Sequence, residues 1–244
     1  MNQLIKNKLK VKLIKKSLAD SIIKKYHYSG KVVANSKLNF GVYYDDILEG
    51  AIQYGSPLDK KKVIQYVGNS GWNSFFEINR MAFSDKLPRN SESRALSISM
   101  KMIKKNYPFV KWILTFADAT SCGDGTIYRA CGFLLVGINK NKTIYEMPDG
   151  YLISNIGIRK SPGFQKKYLG RVFYGQSEAE AFAKKEKGAV LKKGFQIRYI
   201  KFLDETFKSN LNLDILDYSQ LEKMNARMYR GEAIVDYIKQ KRGL

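Results

Sequence analysis

The residues best placed to do chemistry gather around one predicted strand–turn–helix. The stretch from Glu77 through Asn79-Arg80 to Pro88-Arg-Asn-Ser-Glu-Ser-Arg94 reads as a strand over 75–83, a turn at Pro88 and Asn90, and a helix from about Ser91 to Asn106. Asn90 or Ser91 fits an N-cap, which leaves backbone N–H groups pointing back at the turn. With Arg80, Arg89 and Arg94 around it, such a helix start is a place for an anion. A capped helix with a solvated basic first turn accounts for the same residues. Three further residues have chemical potential. Asp118 closes the apolar run Lys111-Trp-Ile-Leu-Thr-Phe-Ala-Asp118, which reads as a strand buried on both faces. His27 is the only histidine and lies in Tyr26-His27-Tyr28-Ser29-Gly30, at the end of a helix. A histidine there often serves the helix dipole alone; its two tyrosines and the glycine turn favour a functional role. Tyr128 lies on a short helix over 125–132.

These residues need a scaffold. The sequence predicts a strand over 8–15, a helix opened by Ser17-Leu-Ala-Asp20 as a capping box, and strands at 38–44 and 47–54 joined by an Asp45-Asp46 turn. A Lys-rich insertion covers 58–73, with Trp72 read as a core anchor in preference to a base-stacking ring. On the second helix, Leu96, Met100, Ile103 and Tyr107 share one face. Another strand follows at 133–138, then weaker strands at 143–147 and 151–158, a helix at 177–187, an alternating strand at 195–203 and a helical tail over 218–241. Mixed hairpins and crossover helices give an α+β (mixed α/β) class, and their order is similar to the GNAT N-acyltransferase fold. The expected organisation is a GNAT-like core over 1–158, with a mostly antiparallel sheet flanked by helices. The basic 159–244 segment then elaborates the same domain.

Charge narrows the partner. The 244 residues carry 43 Lys and Arg against 22 Asp and Glu, a net +21, with 13% aromatics. Such a surplus on a folded chain fits a polyanion, with nucleic acid first and an anionic membrane surface second. No apolar run approaches the ~20 residues of a membrane span, and the first residues lack the apolar stretch of a signal peptide. Cys122 and Cys131 make no disulfide framework, and no CxxC is present to build a zinc finger, so reduced thiols in the cytoplasm are expected.

Four segments in order carry a resemblance. Tyr26-His27-Tyr28-Ser29-Gly30, the Asn79-Arg80 to Arg94 block, Phe116-Ala-Asp118 and Gly125-Thr-Ile-Tyr128-Arg-Ala-Cys-Gly-Phe133 resemble the bacteriophage Mom proteins. The Pro-Arg-Asn-Ser-Glu-Ser-Arg block is the most specific. The resemblance implies a GNAT-like enzyme, phage- or prophage-encoded and working in the host cytoplasm. Such an enzyme places a carbamoylmethyl (acetamido) group on adenine N6 of double-stranded DNA and so hides restriction sites. By the same resemblance His27, Arg80, Ser93, Asp118 and Tyr128 are the functional residues, expected to converge at one cleft.

Iron has been proposed as a cofactor in that family. His27, Asp118 and Tyr128 could serve as its ligands or as a metal-free acid/base set. A two-His-one-carboxylate iron site cannot be built with one histidine. The turn at Pro88 to Arg94 also lacks the glycine that lets backbone approach a pyrophosphate. Acetyl-CoA is therefore disfavoured as donor, and Arg89, Ser91, Ser93 and Arg94 would hold another anion. The donor's identity stays open. The Lys-rich N-terminus and the 159–201 segment would hold phosphates, with Tyr28, Tyr128 or Trp72 stacking on the target base. A DNA-binding protein without chemistry and an acetyl-CoA-dependent N-acetyltransferase are the alternatives.

Overall fold

The structure, a computed structural model, describes residues 8–229 and 232–233. The chain divides into two compact units. Of the described residues, the first holds 8–117 with 124–137 and 197–225; the second holds 118–123, 138–196, 226–229 and 232–233.

The first unit is built on a seven-stranded sheet. In chain order its strands are β1 (Leu9–Leu13), β2 (Ser36–Tyr44), β3 (Ile47–Gly55), β4 (Phe75–Phe83), β5 (Trp112–Ala119), β6 (Leu134–Lys140) and β10 (Phe195–Phe202). Their order across the sheet is β1-β2-β3-β4-β5-β10-β6. The β1 to β4 pairings are antiparallel, and β4 meets β5 in parallel. This is the mixed α/β arrangement with a mostly antiparallel sheet expected of a GNAT-like fold. The β2–β3 turn is Asp45-Asp46, both with positive φ (49° and 62°), as a two-residue hairpin of this twist requires.

Helix α1 (Lys16–Tyr26) lays Ala19, Ile22 and Ile23 on Ala51 and Ala82. The expected capping box is not formed. The helix starts at Lys16, and Asp20 bonds Lys16 at 2.6 Å and Gln53 at 2.9 Å. Helix α2 (Ser91–Asn106) buries Ala95, Leu96, Ser99, Met100 and Ile103, the face its spacing predicts. Ser99 Oγ and the buried Tyr54 hydroxyl are 2.6 Å apart. Below the sheet Phe75 stacks on Trp112 at 4.4 Å between Val63, Val67, Leu114, Ile200 and Phe202. Each such buried side chain contributes about 1.5–3 kcal/mol. Ile200 and Phe202 belong to β10, so the strand at 195–203, expected with the basic elaboration, is a core strand of the main sheet. Trp72 differs from its expected core role: it is 52% exposed, with Lys60 Nζ 4.6 Å over its ring.

The second unit has its own core. A small sheet orders β8 (Leu152–Ser154), β7 (Ile144–Glu146) and β9 (Val190–Leu191). Tyr145, Ile153, Ile158, Phe164, Leu169, Ala179 and Ala183 close on one another. The strand expected over 151–158 stops at Ser154. The Ser154 Oγ accepts the Gly157 N–H at 3.0 Å and starts helix α4 (Asn155–Lys160), which follows α3 (Thr126–Ala130) in the chain. Helix α5 (Gln176–Glu186) presents Glu180, which joins Arg159 and Lys184. Of the helical tail expected over 218–241, the described residues form a short helix at Ser219–Lys223, followed by the short strands β11 (Met228–Tyr229) and β12 (Glu232–Ala233). The rest of that expectation lies outside the described residues. Among the described residues no helix is long and apolar enough to cross a membrane.

Candidate active site

In the first unit the site is assembled around the chain that leaves α1. Gly30, at φ 58°, lets the chain turn after His27. The segment is then tied down on the β3–β4 edge. Arg80 Nε donates to the Lys31 carbonyl at 3.1 Å, and a second Arg80 nitrogen donates to the Asn79 carbonyl at 2.8 Å. Asn35 Nδ2 donates to the Ser56 carbonyl, which the Asn79 amide also approaches. Gly55 makes this possible. A Cβ there would stand 2.1 Å from the Asn35 carbonyl oxygen and 2.3 Å from Asn79 Oδ1. Arg80 thus holds backbone through two of its nitrogens.

The His27 ring stacks on Tyr28 at 4.4 Å, and Tyr28 is 53% exposed. Its Nδ1 accepts the Ser29 backbone N–H at 3.1 Å, with Ser29 Oγ at 2.9 Å. Among the described residues no three His, Cys, Asp or Glu gather as a metal-holding group.

Strands β4 and β5 pair only at Phe75–Trp112, Phe76–Ile113 and Glu77–Leu114. Beyond Glu77 they separate. On β4 this opening begins at a bulge: Tyr54 faces Ile78 and Gln53 faces Arg80, leaving Asn79 as the extra residue. The buried Asn79 Oδ1 and Thr115 Oγ1 have no hydrogen-bond partner. Burial pushes the Glu77 carboxyl up to about 7, against smaller opposing effects of the Asn79 amide and Arg80. A carboxylate in the apolar run Phe75-Phe-Glu-Ile78 is the sequence signal that could have flagged Glu77. Arg198 had no such signal. Its guanidinium lies 4.5 Å over Tyr66 and 5.8 Å from the Phe116 ring, with a buried, unpartnered Nε.

At the start of α2, Asn90 takes the cap position in a left-handed conformation (φ 68°) without a side-chain cap bond. Its carbonyl accepts Ser93 Oγ and the Arg94 N–H, each at 3.2 Å. Ser91 Oγ is buried without a partner, and Arg89 is exposed. Ser93 and Arg94 line a groove of about 400 Å³ along α2, with Ser97, Lys101 and Ala130. Of the expected anion set, these two share a cavity.

Tyr128 is buried, its ring 5.5 Å from Phe133 and 5.6 Å from Tyr199. Its helix is set by Asp124, whose Oδ1 accepts the Thr126 N–H (3.2 Å) and hydroxyl (2.8 Å), and by Gly125 at φ 86°. In the second unit Asp118 Oδ1 accepts Thr120 N–H and Gln196 Nε2, each at 3.0 Å, as well as the Thr120 hydroxyl. Its carbonyl accepts the Cys122 N–H at 2.9 Å. Asp118 thereby organises its own turn.

Solved structures similar in fold include a Bacillus subtilis acetyltransferase in complex with CoA, 12% identical, covering 80% of this chain and 99% of that one (TM-score 0.44). An IAA acetyltransferase from Bacillus cereus is likewise 12% identical, over 80% and 99% of the two chains (TM-score 0.43). In sequence the chain is similar to the methylcarbamoylase Mom of Escherichia phage Mu, with 36% identity across 84% of this chain and 79% of the relative. The model of the Mom protein family matches residues 8–220, which contain every element of the first unit's sheet. The chain therefore belongs to the Mom protein family.

Proposed function

We propose that this chain is a DNA-modifying transferase that places a carbamoylmethyl group on adenine N6 in phage DNA, protecting it from host restriction. The observation that carries this reading is the 36% identity with a methylcarbamoylase over most of both chains. The net charge of +21 supports a polyanionic substrate.

The adenine amine is a weak nucleophile because its lone pair is delocalised into the ring, and its target atom is reached only when the base leaves the stack. The exposed rings of Tyr28 and Trp72 suit stacking on such a base. Arg80 acts by holding the chain after His27 on β4, and so sets where the His27–Tyr28 ring pair stands. Ser93 and Arg94 in the α2 groove bind the anionic part of the donor, with Ser91 and Arg89 beside them. The absence of glycine in that turn favours an anion other than the pyrophosphate of acetyl-CoA. Tyr128 and Asp118 are proposed as the remaining members of the functional set. Iron, proposed for the family, would supply Lewis-acid chemistry when bound, and no step is assigned to it.

The test is mass spectrometry of nucleosides from plasmid DNA co-expressed with the chain. Deoxyadenosine heavier by one carbamoylmethyl group is the expected product. Unmodified DNA in cells holding folded protein would leave a DNA-binding role on this scaffold.

A further inference from the structure

Resting on that proposed reaction, we infer that Glu77 is a catalytic residue: its carboxylate takes the proton that adenine N6 loses as the new N–C bond forms. None of the residues carried over from the family resemblance is Glu77. Three observations point to it.

The first is position. Glu77 occupies the last register at which β4 and β5 pair, opposite Leu114, and the strands part immediately beyond it. A side chain at that point borders an opening that sheet hydrogen bonds do not close. It is three residues from Arg80, which anchors the His27–Tyr28 segment.

The second is its surroundings. Its strand neighbours across the sheet are Gly55 on β3 and Leu114 on β5, neither of which has a charge or a hydrogen-bonding side chain to offer. The charged group acting on it is Arg80, on its own strand. The Asn79 amide is within hydrogen-bond reach, and its Oδ1 is buried without a donor. A neutral Glu77 carboxyl adds a donor beside this orphaned acceptor, so the site accommodates both charge states of the carboxyl.

The third is the protonation behaviour that burial gives. The carboxyl is pushed up to about 7, so near neutral pH it is poised between the two forms a proton acceptor alternates between.

The step balances simply. The N6 lone pair attacks the methylene carbon of a carbamoylmethyl donor carrying an anionic leaving group. The N–C bond forms, the carbon–leaving-group bond breaks with its electron pair going to the leaving group, and one N6 proton passes to Glu77. The proton is later lost to water.

The experiment compares the full-length chain with Glu77→Gln and Glu77→Asp. Modified deoxyadenosine is expected to fall at least ~100-fold in Glu77→Gln, the typical worth of a general base, and to recover in part in Glu77→Asp. Affinity for a DNA duplex should stay within about twofold of the parent in both, since the phosphate contacts are untouched. Wild-type levels of modification in Glu77→Gln overturn the inference. A second measurement stands apart from turnover. In protein labelled with carboxyl-¹³C glutamate, one resonance should titrate near 7, vanish in Glu77→Gln and shift when a duplex is added. A Glu77 resonance that titrates like a solvated carboxylate, or ignores DNA, overturns the inference even if the parent chain modifies nothing. In that last case it is the proposed reaction that fails.

Discussion

Arg80 Nε donates to the carbonyl of Lys31 at 3.1 Å, joining residues 49 apart in the chain. This bond and its companion to the Asn79 carbonyl commit two of the guanidinium nitrogens to backbone. An arginine on β4 therefore works as a clamp that fixes the chain following His27.

Removing the clamp should cost both stability and order. Arg80→Ala deletes two charge-assisted hydrogen bonds from a half-buried group, for about 1–3 kcal/mol in urea unfolding. Amide exchange in residues 28–35 should accelerate more than elsewhere in the first unit. Arg80→Lys keeps the charge but cannot span both carbonyls, so it should resemble alanine in exchange. Unchanged exchange in both variants would refute the clamp.

Glu77 should give the protein a pH signature. Its folded value, about 7, lies above the usual 4.5, so between those limits the folded state binds more protons than the unfolded chain. The corresponding stability is fully present below about 4.5 and is lost as pH rises through about 7, by up to roughly 3 kcal/mol. Denaturant midpoints at pH 5 and pH 8 measure it. Glu77→Gln should flatten the difference.

Gly125 should tolerate no side chain. Its φ is 86°, and a Cβ would lie 2.5 Å from the Tyr199 ring. Gly125→Ala is expected to destabilise by about 2 kcal/mol or more, from backbone strain plus overpacking. A thermal melt of the variant decides it. An unchanged midpoint would mean that Tyr199 and the start of α3 can move.

Tyr128 allows packing to be separated from chemistry. Tyr128→Ala should lose about 3–5 kcal/mol by emptying space against Phe133 and Tyr199. Tyr128→Phe should keep the fold. If the hydroxyl serves the reaction, the phenylalanine variant stays folded and leaves plasmid adenine unmodified; full modification would assign Tyr128 to the core alone.

Trp72 presents the reverse case. With its ring 52% exposed, Trp72→Ala should change stability by less than about 1 kcal/mol. Stacking on an extruded base would show instead as about 1–3 kcal/mol lost in binding DNA that carries an unpaired adenine. Equal affinity for the parent and the variant would exclude that role.

Local features were legible and long-range ones were not. The bounds of β4, the Asp45-Asp46 hairpin and the buried face of α2 follow from alternation, turn chemistry and helical spacing, all of which act over a few residues. Trp72 was misplaced because the burial of a ring depends on what the rest of the chain lays over it. The strand read through 158 ended at Ser154 because one hydroxyl satisfied a helix start, a small local preference that overrode continued alternation. Within the site, residue types pointed to His27, Arg80 and the α2 start. The work of Arg80 and the orphaned Asn79 oxygen depend on Lys31, Ser56 and Gly55, which only the folded chain brings near.

The placement of β10 between β5 and β6 has a consequence for biosynthesis. A ribosome translating this message releases β5 and β6 long before Phe202 emerges, so for that interval neither has its eventual shared neighbour. A nascent chain with β5 open on that side has an unpaired edge to protect from other polypeptides. Premature termination just before β10 should therefore yield insoluble product, even though five consecutive strands of the main sheet and their helices have already been made.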